Sequence, residues 1–85
     1  MKNSYAFRLL KSSDRFSFYD DFRTNDLGIV DEYLTAIETL KRHHSESVRK
    51  YINHVENQMY WCINEKFPEI VDYVNKLFIE GKITV

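Results

Sequence analysis

The fold is decided by residues 28–68, which read GIVDEYLTAIETLKRHHSESVRKYINHVENQMYWCINEKFP. The 39 residues between Gly28 and Pro68 include no glycine and no other proline. Because glycine loosens a helix and proline breaks one, this composition permits long helices. The apolar residues also recur at helical spacing and, at about 100° per residue, fall in one stripe. The members of that stripe are Val30, Tyr33, Leu34, Ile37, Leu40, Val48, Tyr51, Ile52, Val55, Met59, Cys62 and Ile63. Such a stripe predicts amphipathic helix that packs into a bundle.

A single helix over this whole segment is too long for a small globule. It would measure about 58 Å, whereas a compact chain of this length is only roughly 30 Å across. Residues 43–47 contain no apolar side chain and two serines that can cap a helix. We therefore predict a break there, between helices at about 28–43 and 46–66, with Thr24 or Asp26 capping the first. The apolar positions before and after the break would lie on the same face of an uninterrupted helix. One continuous helix in an extended dimer is therefore the alternative.

The two ends of the chain give weaker patterns. Pro68 and Gly81 punctuate a third helix at about 68–80, as a first-turn proline and a glycine just past the last turn. Residues 4–23 fit either a hairpin, since Phe16 and Phe18 alternate, or a short helix capped by Ser13, and we favour helix or irregular structure. The tail 82–85 is rich in residues that favour strands.

These patterns together predict one mainly α domain over residues 1–85. Its architecture is a small bundle of three to four helices. A short N-terminal hairpin with a C-terminal strand, which would make the domain α+β, is the alternative.

Composition limits the compartment and the broad class. The net charge of −1 gives no global field that points to nucleic acid or to anionic lipid. The single cysteine, Cys62, cannot form an internal disulfide and fits a reducing compartment. No apolar run approaches the roughly 20 residues that span a bilayer, and the first residues lack a signal-peptide pattern. We expect a cytoplasmic protein that does not contact membranes.

No motif predicts a metal, a cofactor or a catalytic residue. His43 and His44 are adjacent and so point about 100° apart on a helix, and no pair of histidines or cysteines has chelating spacing. With two glycines, the chain offers little for a phosphate-binding loop. There is no nucleophile elbow and no close carboxylate pair in an apolar setting. We expect the protein not to be an enzyme.

One short motif resembles a known family. Arg49 and His54 have the R-x4-H spacing that resembles the motif of HEPN-type helical ribonucleases, and the resemblance implies RNA cleavage by these two residues. The match covers six residues of 85, and Lys50 stands where that family usually has a small polar residue. Helical geometry also points Arg49 and His54 in different directions. We expect no nuclease.

The segment Met59–Ile63 gives the main functional hypothesis. Here the helix is apolar on all sides, and Tyr60 and Trp61 lie well off the buried stripe. Aromatic residues of these types often anchor protein interfaces. We predict a non-catalytic module that binds and modulates or inhibits a larger protein, as immunity proteins, antitoxins and phage-encoded host regulators do. Its contact residues would be His54, Tyr60, Trp61 and Phe67. Burial of these aromatics by the protein's own fold is the alternative.

Two further hypotheses concern other partners. Lys41, Arg42, Arg49 and Lys50 form a basic corner that would bind phosphates in a small nucleic-acid-binding regulator. A homodimer whose seam is the long apolar stripe is the third hypothesis.

Overall fold

The computed structural model describes residues 1–11 and 13–83, which form five helices. They are α1 (Asn3–Lys11), α2 (Arg15–Phe22), α3 (Leu27–Lys41), α4 (Glu46–Lys66) and α5 (Pro68–Ile79). The mainly α class is confirmed, but the predicted count of three to four helices was wrong because the N-terminal segment forms two. No strand occurs in the described ranges, so the N-terminal hairpin of the α+β alternative does not form. Of the tail, Lys82 and Ile83 are not in a strand, and residues 84–85 lie outside the described part.

The N-terminal segment is helical because its aromatic residues bury with helical rather than strand periodicity. Phe18 and Phe22, one turn apart, are fully buried, and their rings stack with centroids 5.7 Å apart. A strand would have placed Phe16 on the same side as Phe18, whereas the helix turns Phe16 outward. The N-cap of α2 is Asp14 rather than the predicted Ser13, and its carboxylate accepts the backbone N–H of Ser17 at 2.9 Å.

The long central segment breaks where no apolar residue holds it to the core. α3 ends at Lys41 and α4 begins at Glu46, so the predicted break is confirmed and the continuous helix was wrong. At the corner, the Ser45 backbone N–H donates to His43 Nδ1 at 3.0 Å, and the Arg49 guanidinium donates to the His43 carbonyl at 2.7 Å. These bonds satisfy polar groups near two helix ends. At the start of α3, the predicted cap Asp26 accepts the N–H of Gly28 at 2.8 Å.

The core lies between α3 and α4, and the other helices cover it. α1 packs on α3, α2 packs on both α4 and α3, and α5 packs on α4. The resulting molecule measures 33 × 29 × 19 Å. Of the predicted stripe, Val48 is half-buried and Tyr51 is exposed, and the other ten residues are buried. Tyr51 departs from the pattern because its hydroxyl donates to the Leu10 and Lys11 carbonyls at the end of α1.

Three tyrosine–carboxylate hydrogen bonds fasten outer helices to α3. Tyr5 of α1 donates to Glu32, Tyr33 of α3 donates to Asp21 of α2, and Tyr73 of α5 donates to Asp31. Each pair joins two helices, so these bonds add specific polar contacts to the apolar packing between them.

α5 ends as its sequence predicts. Gly81 has φ of +73°, and its N–H donates to the Phe78 carbonyl at 3.1 Å. The Lys82 N–H donates to the Leu77 carbonyl at 2.9 Å, which completes a Schellman motif. A side chain at position 81 would be strained in this left-handed conformation, so glycine is required here.

Candidate binding surfaces

Helices α2 and α4 collect exposed aromatic side chains on one surface, which we call the α2–α4 face. It consists of Phe16 and Tyr19 from α2 and of Tyr51, His54 and Trp61 from α4. The fold creates it by packing α2 on α4. Phe16 lines a shallow pocket together with Tyr51 and His54, while Tyr19, one turn later, reaches Phe67 with ring centroids 5.7 Å apart.

Phe16 is the most exposed aromatic residue of the described chain. It is 83% exposed, although Phe18 two residues later is fully buried. The helix explains the contrast, because residues two apart point about 200° from each other. Trp61 is 45% exposed and lies seven residues, or about 10 Å, beyond His54 on the same side of α4. The α2–α4 face thus continues along two turns of α4.

The four predicted contact residues divide among three environments. Trp61 and His54 belong to the α2–α4 face. Phe67 is a core residue: it is 8% exposed and packs against Phe22 and Tyr19. The corner between α4 and α5 turns its ring inward, so it offers no contact surface to a partner. Tyr60 is half-buried and lies on the side of α4 that faces α5.

The Tyr60 side of α4 borders a second concave surface, which we call the α4–α5 groove. The groove has a volume of about 360 Å³. Apolar side chains lie along it, namely Ile63, Val71, Val74 and Phe78, together with Tyr60. Burial and the nearby carboxylates of Glu56 and Glu38 raise the pKa of the Tyr60 hydroxyl, which therefore stays protonated in neutral solution.

The basic corner is largely engaged in the fold itself. The Lys41 ammonium lies 2.7 Å from the Glu56 carboxylate and 3.7 Å from that of Glu38, and Arg49 binds the His43 carbonyl. Lys50 is exposed and lies 3.6 Å from Glu46. Arg42 is exposed just past the end of α3. The two glutamates at Lys41 reduce the positive potential that a phosphate would meet there.

The structure groups no set of residues for catalysis or metal binding in the ranges it describes. Within those ranges, three or more His, Cys, Asp or Glu residues never converge on a point that could hold a metal ion. Arg49 and His54 of the R-x4-H motif line different surfaces, since Arg49 borders Lys41 and His54 borders Phe16. The Cys62 thiol is buried, and this burial raises its pKa, so the reactive thiolate is disfavoured.

Comparisons with known proteins add no assignment. No protein-family model, curated protein or solved structure matches this chain. Among its described helices, none is both long enough and apolar enough to cross a membrane. The chemistry of the two surfaces is therefore what points to a function.

Sequence reasoning missed two sets of surface residues. Phe16 could have been found once the helix was preferred over the hairpin, because Phe18 and Phe22 then define the buried side and Phe16 lies opposite. The asparagines Asn57, Asn64 and Asn75 border the α4–α5 groove. Nothing in the sequence marks them, since their position depends on how α5 docks against α4.

Proposed function

We propose that this protein is a non-catalytic module that binds a larger protein through the α2–α4 face and modulates that protein's activity. The observation that carries the proposal is the outward Phe16 beside Tyr51 and His54. Transfer of one exposed phenylalanine side chain into an apolar pocket gives about 1.5–3 kcal/mol. Binding to a partner with such a pocket would bury the Phe16 side chain and be stabilised by this free energy, whereas the isolated domain leaves the side chain in water.

The size of the α2–α4 face suits a single protein interface. An aromatic side chain presents about 150–250 Å², so the exposed parts of its four aromatic residues total roughly 400 Å². The largest apolar patches of monomeric proteins fall in the range of about 300–600 Å² and are often functional. A standard interface buries about 800 Å² on each side, and little more than half of that area is apolar. The face would therefore supply the apolar centre of such an interface.

The charges around the α2–α4 face favour an apolar contact over an electrostatic one. Asp20 lies 3.7 Å from Arg23, and Lys50 is near Glu46, so acids and bases alternate at the rim. The Asp14 carboxylate is held by Ser17, whose backbone N–H lowers the pKa of that group. A rim of mixed sign gives specificity and register more than steering. We accordingly propose a protein partner with an apolar pocket, in preference to a polyanion.

Site-specific photocrosslinking tests the proposal. Phe16 is replaced by the photoreactive p-benzoylphenylalanine, and the full chain is irradiated in cells of its source. The matched control carries the same residue at Ile79, which is also strongly exposed, at 87%, but lies on α5. We expect one defined adduct from position 16, heavier than twice the chain mass of 10.3 kDa, and no equivalent adduct from position 79.

A second variant separates binding from folding. Trp61→Ala should weaken the position 16 adduct several-fold while circular dichroism shows that the variant is still folded, because the exposed part of the Trp61 side chain is available to a partner. Equal adducts from positions 16 and 79 would contradict the proposal. An adduct of twice the chain mass would replace it with self-association, and a large loss of stability in Trp61→Ala would place this side chain among the residues that hold the fold.

A further inference from the structure

The α4–α5 groove combines an apolar interior with amide side chains on both walls. Asn57 and Asn64 stand on the α4 wall, and Asn75 stands on the α5 wall. Its volume of about 360 Å³ lies within the range of small-ligand and peptide sites. Pockets with mostly apolar walls and a few convergent polar groups are the usual form of a binding site.

The amides set the kind of hydrogen bonding that a ligand must offer. Each asparagine side chain has one carbonyl acceptor and two N–H donors, so it can pair with both the N–H and the C=O of a peptide group. Asn57 and Asn64 are seven residues apart, or about 10 Å along α4, and three extended residues span the same length at about 3.3 Å each. An extended main chain carries unpaired N–H and C=O groups that such amides can bind. A docked helix would already have paired those groups internally.

The charge beside the groove disfavours an anionic occupant. Glu56 is the one charged residue among the described residues that line it, and the Lys41 ammonium lies 2.7 Å from the Glu56 carboxylate and 3.7 Å from that of Glu38. Two carboxylates share this one ammonium, and burial of an unpaired charge beside Val74 and Phe78 would be costly. A ligand with apolar, uncharged side chains therefore matches both the interior and the walls.

From these features we infer that the α4–α5 groove binds a short extended peptide segment with apolar side chains. Asn57, Asn64 and Asn75 hold its main chain, and the space lined by Val71, Val74 and Phe78 takes its side chain. The groove and the α2–α4 face lie about 130° apart around α4. The groove is consequently a separate site from the α2–α4 face, and peptide binding there does not depend on the proposed function.

The test uses the full chain labelled with ¹⁵N and two blocked peptides of equal length. The first is N-acetyl-Ala-Leu-Ala-methylamide, and the second carries glutamate in place of leucine. We expect the leucine peptide to cause saturable shifts in the side-chain NH₂ signals of Asn57, Asn64 and Asn75. The glutamate peptide should bind at least about tenfold more weakly, because Glu56 and Glu38 repel its carboxylate and the apolar interior does not solvate it.

Matched variants link the shifts to the amides. Asn64→Ala and Asn75→Ala should each lower the affinity for the leucine peptide about fivefold, the effect of one uncharged hydrogen bond of about 1 kcal/mol. Asn53→Ala, on an exposed position of α4 outside the groove, and Phe16→Ser should leave it unchanged. Circular dichroism confirms that each variant is folded. No saturable shift, equal binding of the two peptides, or unchanged affinity in both groove variants would overturn the inference.

Discussion

At the scale of single residues, Phe16 and Phe18 show how a helix assigns opposite roles to neighbours of the same type. Phe18 is fully buried against Phe22 and Tyr33, whereas Phe16 is turned to the surface. We expect Phe18→Ala to lower the free energy of unfolding by about 3–5 kcal/mol, through lost burial and a residual cavity. Phe16→Ala should change it by no more than about 0.5 kcal/mol. Urea denaturation measures both.

Because so small a domain can fail to fold after Phe18→Ala, Phe18→Leu serves as the milder variant. It should cost about 1–2 kcal/mol, in the range of a conservative change of core shape. Equal stabilities of the position 16 and position 18 variants would contradict the assignment of Phe16 to the surface, and with it the basis of the α2–α4 face.

Tyr33 makes stability depend on alkaline pH. Burial and its hydrogen bond to Asp21 raise the pKa of the Tyr33 hydroxyl from 10.0 to about 12. Since the folded pKa is above the unfolded one, this stabilisation is complete below pH 10 and is lost as the pH rises toward 12. We expect the free energy of unfolding to fall between pH 9 and pH 11 in both proteins, because the pKa values of Tyr60 and Tyr73 are also raised. Tyr33→Phe should lose on the order of 1 kcal/mol less than the unchanged protein. Urea midpoints of the two proteins at both values measure it. Parallel curves would contradict the prediction.

At the scale of helices, the His43 side chain stabilises the corner between α3 and α4. The His43 ring accepts the Ser45 N–H and meets Phe7 of α1 edge-on, with ring centroids 5.6 Å apart. Loss of a side-chain hydrogen bond to the backbone beside a helix start, together with loss of an aromatic contact, costs about 1–2 kcal/mol in comparable settings. His43→Ala should therefore destabilise the protein by about that amount in thermal or urea unfolding. His54→Ala, on the exposed side of α4, is the control, and equal effects would show that the corner does not depend on His43.

The helices also show which parts of the fold the sequence could predict. Helix α4 was predicted at 46–66 and is observed at Glu46–Lys66. Helix α5 was predicted at 68–80 and ends one residue earlier, at Ile79. Its ends were predictable because Pro68 and Gly81 mark them through local backbone geometry. The region 4–23 was ambiguous because Phe16 and Phe18 have the spacing of a strand, whereas Phe18 and Phe22 have the spacing of a helix. The packing partner of Phe18 decides between the two. That partner, Tyr33, is fixed only by tertiary packing.

The candidate surfaces were less predictable than the helices for the same physical reason. Trp61 was singled out because the helix is apolar on all sides at Met59–Ile63, which is visible in one sequence. Phe67 was assigned to the surface, although the turn before Pro68 points it into the core. The α4–α5 groove depends on the docking of two helices, which no local pattern encodes.

At the scale of the whole molecule, the bend at residues 42–45 decides the oligomeric state that we expect. A continuous α3–α4 helix would have left its apolar stripe open for a second copy, whereas the bend folds the stripe on itself and buries ten of its twelve residues. The bend thus closes, within one chain, the seam that an extended dimer would have used. We therefore expect a monomer of 10.3 kDa.

Light scattering coupled to size exclusion checks this expectation on untagged protein at micromolar concentration, and small-angle scattering should give a radius of gyration close to the Cα value of 12.2 Å. Phe16→Ser is the companion variant, because it removes the most exposed aromatic side chain without touching the core. A monomer in both proteins leaves the α2–α4 face open to a different protein. A mass near twice 10.3 kDa that returns to one chain mass in Phe16→Ser would show that a second copy occupies the face, and the partner-binding proposal would then give way to self-association.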